Sequence, residues 1–127
     1  MTTIVANLKE IAADSRTTWG DEFCVTGDKI EIVGRSVVAT AGETSDIFRF
    51  LRWWKDQTQE RPTELDFTGI MLNEQGLWFF ADSCDPMPVK DPFIAVGTGG
   101  MAAKAAMLCG KSPKRAVEIA IMCDKNS

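Results

Sequence analysis

What most restricts the folds open to this chain is its punctuation. Short runs of β-forming residues are cut at close intervals by turn signals. Residues 22–26, 29–33 and 36–41 are separated by Gly27-Asp28 and Gly34-Arg35, both of hairpin type. Residues 64–72 and 77–81 are joined by Asn73-Glu74-Gln75-Gly76, the clearest hairpin signal in the sequence. At the start, residues 2–8 and 11–13 flank the charged turn Lys9-Glu10 and form a further hairpin. Residues 17–21 read as a polar turn around Trp19-Gly20, residues 82–88 as a loop and residues 93–96 as a short buried strand.

Three helices interrupt this pattern. Thr44 or Ser45 is placed to cap a helix running to about Gln59, in which Ile47, Phe48, Leu51 and Trp54 recur at helical spacing and Phe50 and Trp53 widen the apolar stripe. A small-residue helix follows over residues 101–109, stopped by Gly110, and Ser112-Pro113 opens a third that continues over residues 115–122. Strands, one helix, strands and two helices predict two sheets with helices outside, an α+β layer arrangement.

With 127 residues, the chain is expected to form one domain over residues 1–127. Its 14 basic and 18 acidic residues, without a Lys- or Arg-rich block, leave no electrostatic footprint for nucleic acid or membrane. Neither a membrane span nor a signal peptide is read, so the cytoplasm is the expected compartment. The chain has no histidine, and its four cysteines are far apart, so no zinc site, Ser-His-Asp triad or Cys-His pair is expected. A hydrolase built on this sequence needs another base.

One such base is available at the N-terminus. If Met1 is removed, Thr2 carries a hydroxyl and a free amine on one residue, and an amine with a reference pKa near ~8 can take the hydroxyl proton at neutral pH. Asp14 closes the first hairpin, where an Asp also commonly caps a turn. Lys29 opens a strand run and is either a solvated turn lysine or, buried near a hydroxyl, a group that lowers its pKa. Gly42, in Ala41-Gly42, is either ordinary punctuation before a helix or a backbone donor to a developing oxyanion. Thr98 lies in Gly97-Thr98-Gly99-Gly100, a strand-to-helix turn of the kind that can cradle a phosphate, although Gly110-Lys111-Ser112 lacks the upstream glycine of a Walker loop. Asp124 and Ser127 form an Asp-x-x-Ser pair in what is otherwise a solvated tail.

In this order, the Thr-Thr start, the hairpin ending in Asp-Ser-Arg-x-Thr, Gly27-Asp28-Lys29, Ala41-Gly42, the Gly-rich turn and the Asp-x-x-Ser pair resemble the β-subunits of proteasomes and HslV, which are N-terminal-nucleophile hydrolases. The resemblance implies a four-layer αββα sandwich. It implies that Thr2 is the nucleophile and its amine the base, that Asp14 and Lys29 tune the site, that Gly42 donates to the oxyanion, and that Thr98, Asp124 and Ser127 hold the amine. The implied reaction is peptide-bond hydrolysis through an acyl-enzyme, with no cofactor or metal. The implied partners are a peptide or unfolded-protein substrate, further copies in a homo-oligomeric ring, and an ATP-dependent unfoldase.

Some features depart from the family pattern. The first hairpin is short, the second helix of the first pair is missing, and no closing strands follow Asp124-Lys125-Asn126-Ser127, so the expected sandwich is shortened at the C-terminus. Two other functions stay open: a degenerate homologue that serves as a binding or assembly module, and an N-terminal-nucleophile amidohydrolase acting on small amides. The aromatic stripe of Phe48, Phe50, Trp53 and Trp54 is wider than one helix needs to cover a sheet and predicts self-association, unless all four side chains fit into the core.

Overall fold

A computed structural model describes residues 3–13, 16–19, 22–25, 30–97 and 99–124. Its elements run β1 (Thr3–Asn7), β2 (Ile11–Ala13), β3 (Arg16–Trp19), β4 (Glu22–Val25), β5 (Ile30–Val33), β6 (Ser36–Gly42), α1 (Thr44–Lys55), β7 (Phe67–Asn73), β8 (Gly76–Ala81), β9 (Met87–Pro88), β10 (Phe93–Gly97), α2 (Gly100–Leu108) and α3 (Pro113–Asp124). Pairing is antiparallel throughout these strands. They form a three-stranded sheet in the order β10-β1-β2, a five-stranded sheet in the order β5-β6-β7-β8-β9, and the separate ribbon β3-β4.

Side-chain alternation along the strands separates three apolar layers. On the outer face of the five-stranded sheet, Val38, Phe67, Met71 and Phe80 pack against Phe50 and Leu51 of α1. The opposite face of that sheet carries Ala39, Ile70 and Leu77, which meet Ile4 and Ala6 of β1 between the two sheets. Val5, the intervening residue of β1, points the other way into Ala103, Ala106 and Met107 of α2 and Ala116, Val117 and Ala120 of α3. The order of layers is therefore helix, sheet, sheet, helix: the αββα sandwich expected from the sequence. The alanines of α2 and α3 let both helices lie close on the small sheet at interior packing density.

Helix ends follow their local chemistry with one exception. Gly110, at φ +88, closes α2 in a Schellman motif. Its N–H donates to Met107 O at 2.9 Å, and the Lys111 N–H donates to Ala106 O at 3.1 Å. Ser112 then caps α3, its Oγ accepting from the Arg115 N–H at 3.2 Å, with Pro113 as the first helical residue. The exception is α1. Neither Thr44 nor Ser45 is its cap; Glu43 occupies that position without a side-chain cap bond. At its other end α1 stops at Lys55, short of Gln59. Asp56 turns its carboxylate to the Thr58 hydroxyl and N–H, at 2.6 and 3.2 Å, a local bond that competes with another helical turn. The same hydroxyl bond holds the Asp56 carboxyl below its usual pKa.

Three other segments differ from the sequence reading. Residues 17–19 belong to strand β3, where two β-branched residues and a tryptophan favour extension over a turn. The strand expected from residue 64 begins only at Phe67, since Glu64 is left-handed at φ +56. Within the expected loop, Met87–Pro88 adds a short edge strand to β8. The aromatic stripe divides as well. Phe50 is fully buried, with ring centroids 4.6 Å from Phe67 and 4.9 Å from Phe80, and Trp53 and Trp54 pack on the same cluster, but Phe48 stays 59% exposed. No described helix is long and apolar enough to cross a membrane.

Candidate active site

β1 is the central strand of its sheet, and its first described residue is where several chain ends meet. The register sets Thr3 against Gly97, the last residue of β10, and Ile4 against Ala13, the last residue of β2. Alternation turns Thr3 to the same side as Val5, toward α2 and α3, and its side chain is buried. There the Thr3 Oγ1 accepts a hydrogen bond from the Gly99 N–H at 3.0 Å, a buried contact between residues 96 positions apart. Gly99 precedes α2, so this bond fastens the start of the strand to the start of the helix.

Only glycine fits at position 99. A Cβ there would lie 2.4 Å from Thr3 Oγ1 and 2.9 Å from Ala120 Cβ. Gly97, at φ +99, makes the turn out of β10 in a region that favours glycine. The first turn of α2 presents the positive end of its macrodipole toward the start of β1, a field that favours a negative or neutral group over a cation.

Gly42 ends β6, which packs across the inter-sheet core from β1 and β2. It is exposed, has φ +131, and lies so close to β7 that a Cβ would come within 2.7 Å of Phe67 Cα and 2.8 Å of Asp66 O. The adjacent Glu43 N–H donates to Asp66 O at 2.9 Å. Because hydrogen-bonding sides alternate along an antiparallel pair, the N–H of Gly42 is turned away from β7. It points to the flank that β5 covers, among described residues, only as far as the Ile30–Ala39 pair.

Of the residues singled out in the sequence, Thr2, Asp14, Lys29, Thr98 and Ser127 lie outside the described residues, and Asp124 is described only as the last residue of α3. Their chain neighbours are placed. Thr3 follows Thr2, Ala13 precedes Asp14, and Gly97 and Gly99 flank Thr98; β1 pairs with both β2 and β10, so these neighbours converge at one end of the sheet. Sequence reasoning does not reach Thr3 and Gly99 as site residues. The repeated threonine at the start and the second glycine of the turn are the only hints of them.

Cys84 offers no competing nucleophile of the activated kind. Cys84 is buried, and burial pushes its thiol pKa up, which disfavours the thiolate. Among the described residues no cluster of His, Cys, Asp or Glu could hold a metal ion.

The Thr3 bond is open to a direct test. Thr3→Val keeps the shape but strands the buried Gly99 N–H, and it should lower unfolding free energy by about 1–3 kcal/mol in urea titration. An unchanged midpoint would mean that the amide finds another acceptor.

This four-layer αββα sandwich, whose first strand starts against a Gly-rich strand-to-helix turn, is a fold that the chain shares with HslV. Compared with solved structures, the chain is similar to HslV from Trypanosoma brucei, with a TM-score of 0.64 at 19% identity over 94% of this chain and 88% of that one. It is similar to Thiobacillus denitrificans BPH in complex with epoxomicin, with a TM-score of 0.60 at 21% identity over 95% and 87% of the two chains. It is also similar to an Anbu mutant from Hyphomicrobium sp. strain MC1, with a TM-score of 0.60 at 15% identity over 90% and 67%. No protein-family model matches the sequence, and no curated protein matches it.

Proposed function

We propose that the chain, acting as one domain over residues 1–127, is a threonine peptidase that uses Thr2 as an N-terminal nucleophile after removal of Met1. The observation that carries this reading is the buried Thr3–Gly99 bond, which locks the residue after Thr2 to the start of α2. In the proposed reaction the Thr2 amine takes the hydroxyl proton as Oγ1 attacks the scissile carbonyl carbon. The oxyanion then receives the N–H of Gly42, which is turned away from β7 and exposed. Collapse of this intermediate expels the amine leaving group, protonated by the Thr2 ammonium, and leaves an ester on Oγ1 that water hydrolyses with the same amine as base.

Lys29 lowers the pKa of the hydroxyl in this scheme, Asp14 tunes the site with it, and Thr98, Asp124 and Ser127 orient the amine. The field at the start of α2 works in the same direction, because it favours the neutral amine and the ionising hydroxyl. The proposed substrate is an unfolded polypeptide, with the chain assembled in a cytoplasmic homo-oligomeric ring and served by an ATP-dependent unfoldase. Exposed Phe48 and Ile32, the latter on the edge strand β5, support self-association, since unpaired strand edges and apolar patches favour pairing with another chain.

The experiment is intact-mass measurement of protein from a native-like host, alongside cleavage of an unstructured peptide with and without epoxomicin. Loss of one methionine, peptide cleavage and its inhibition are the expected results. Full cleavage by protein that retains Met1 would exclude the amine of Thr2 as base and overturn the mechanism.

A further inference from the structure

The backbone on which the end of β6 rests is bonded by two carboxylates from other elements. Gly42 rests directly on the Asp66–Phe67 peptide of the β7 start. From the first turn of α1, Asp46 Oδ2 accepts the Asp66 N–H at 3.0 Å, while its Oδ1 accepts from Arg49 at 3.1 Å. From the end of β8, Asp82 Oδ1 accepts the Phe67 N–H at 2.9 Å, and the Asp82 N–H returns a bond to Phe67 O at 2.8 Å. Asp82 stands at φ +52, so its N–H still completes the ladder while its side chain takes the place of its own carbonyl as the acceptor of the Phe67 N–H. With Glu43 bonded to Asp66 O, the N–H and the carbonyl of both Asp66 and Phe67 are hydrogen-bonded.

We infer that Asp46 and Asp82 are positioning residues for the Gly42 amide, acting through the backbone of Asp66 and Phe67. This rests on the reading of Gly42 as the oxyanion donor. A donor contributes to rate only when it is already aimed at the place where charge develops, so a small relaxation of the supporting peptide lowers the chemical step and leaves ground-state binding almost unchanged. Neither carboxylate needs to touch the substrate for this. Asp46 links the donor to the start of α1, and Asp82 links it to the last residues of β8.

Two substitutions at position 82 separate the acceptor from the backbone. Asp82→Gly keeps the left-handed φ and removes the acceptor, whereas Asp82→Asn keeps both. The measurements are kcat and KM on an unstructured peptide, and hydrogen exchange at the Glu43 and Phe67 amides. For Asp82→Gly we expect kcat to fall about tenfold with KM within about twofold, and exchange at both amides to speed up, with Asp82→Asn restoring all three. Asp46→Ala should act in the same direction, and the double variant should lose less than the product of the two single losses because they hold adjacent peptides of one short backbone stretch. Normal kcat and normal exchange in Asp82→Gly would overturn the inference, even if its melting temperature falls. If the unsubstituted protein cleaves no peptide, the peptidase reading fails separately. The exchange data then decide the positioning, and unchanged protection of Glu43 in Asp82→Gly would reject it.

Discussion

Gly42→Ala is expected to lower unfolding free energy by about 4 kcal/mol, the sum of an overpacking cost and a backbone cost. The new methyl would meet Phe67 Cα at 2.7 Å and Asp66 O at 2.8 Å. Both are backbone atoms of a strand held by its neighbours, so the clash cannot be relieved by a rotamer change. The left-handed φ of +131 adds strain that any L side chain carries. Gly110→Ala is the matched control, since φ is +88 there but no atom lies within 4 Å of the methyl that alanine would add, and only about 1 kcal/mol should be lost. Urea titration of the two variants reads the difference as a shift in midpoint at equal slope. Equal losses would mean that β6 and β7 do not approach so closely at Gly42.

Thr2→Ala is expected to reduce peptide cleavage by about a thousandfold or more, because it removes the nucleophile while keeping the amine. Thr2→Ser keeps a hydroxyl on the same atom chain and should retain cleavage within about tenfold of the unsubstituted protein. Circular dichroism should be unchanged in both, since the described contacts that anchor this end of β1 are made by Thr3 and the residues after it. Substantial cleavage by Thr2→Ala, with contaminating peptidases excluded by mixing controls, would remove Thr2 from the mechanism and return the chain to the binding-module reading.

Much of the fold was legible because its signals are local. The Asn73 to Gly76 hairpin, the stop at Gly110 and the start at Ser112-Pro113 depend on φ and ψ preferences of a few consecutive residues, and each stands where the sequence placed it. The order of strands and helices also carried the layer arrangement, since two sheets that bury one face against each other need helices over the other. Gly42 is reached through the resemblance of Ala41-Gly42 to the family's strand end, because a glycine before a helix is by itself ordinary punctuation.

What local signals could not reach was decided by pairing between distant segments. That Thr3 meets Gly97, and that its hydroxyl takes the Gly99 N–H, depends on β10 adding to the far side of β1, a choice made by the burial of whole strands. The burial of Phe50, Trp53 and Trp54 with exposure of Phe48 depended likewise on how α1 is rotated on its sheet. The sequence by itself thus determined most of the elements and the turns and helix ends punctuated at Gly76, Gly110 and Pro113. Tertiary structure alone decided the Thr3–Gly99 bond and the clamp of Asp46 and Asp82 on the peptide beneath Gly42, because a buried N–H takes whichever acceptor the packed layers bring within reach.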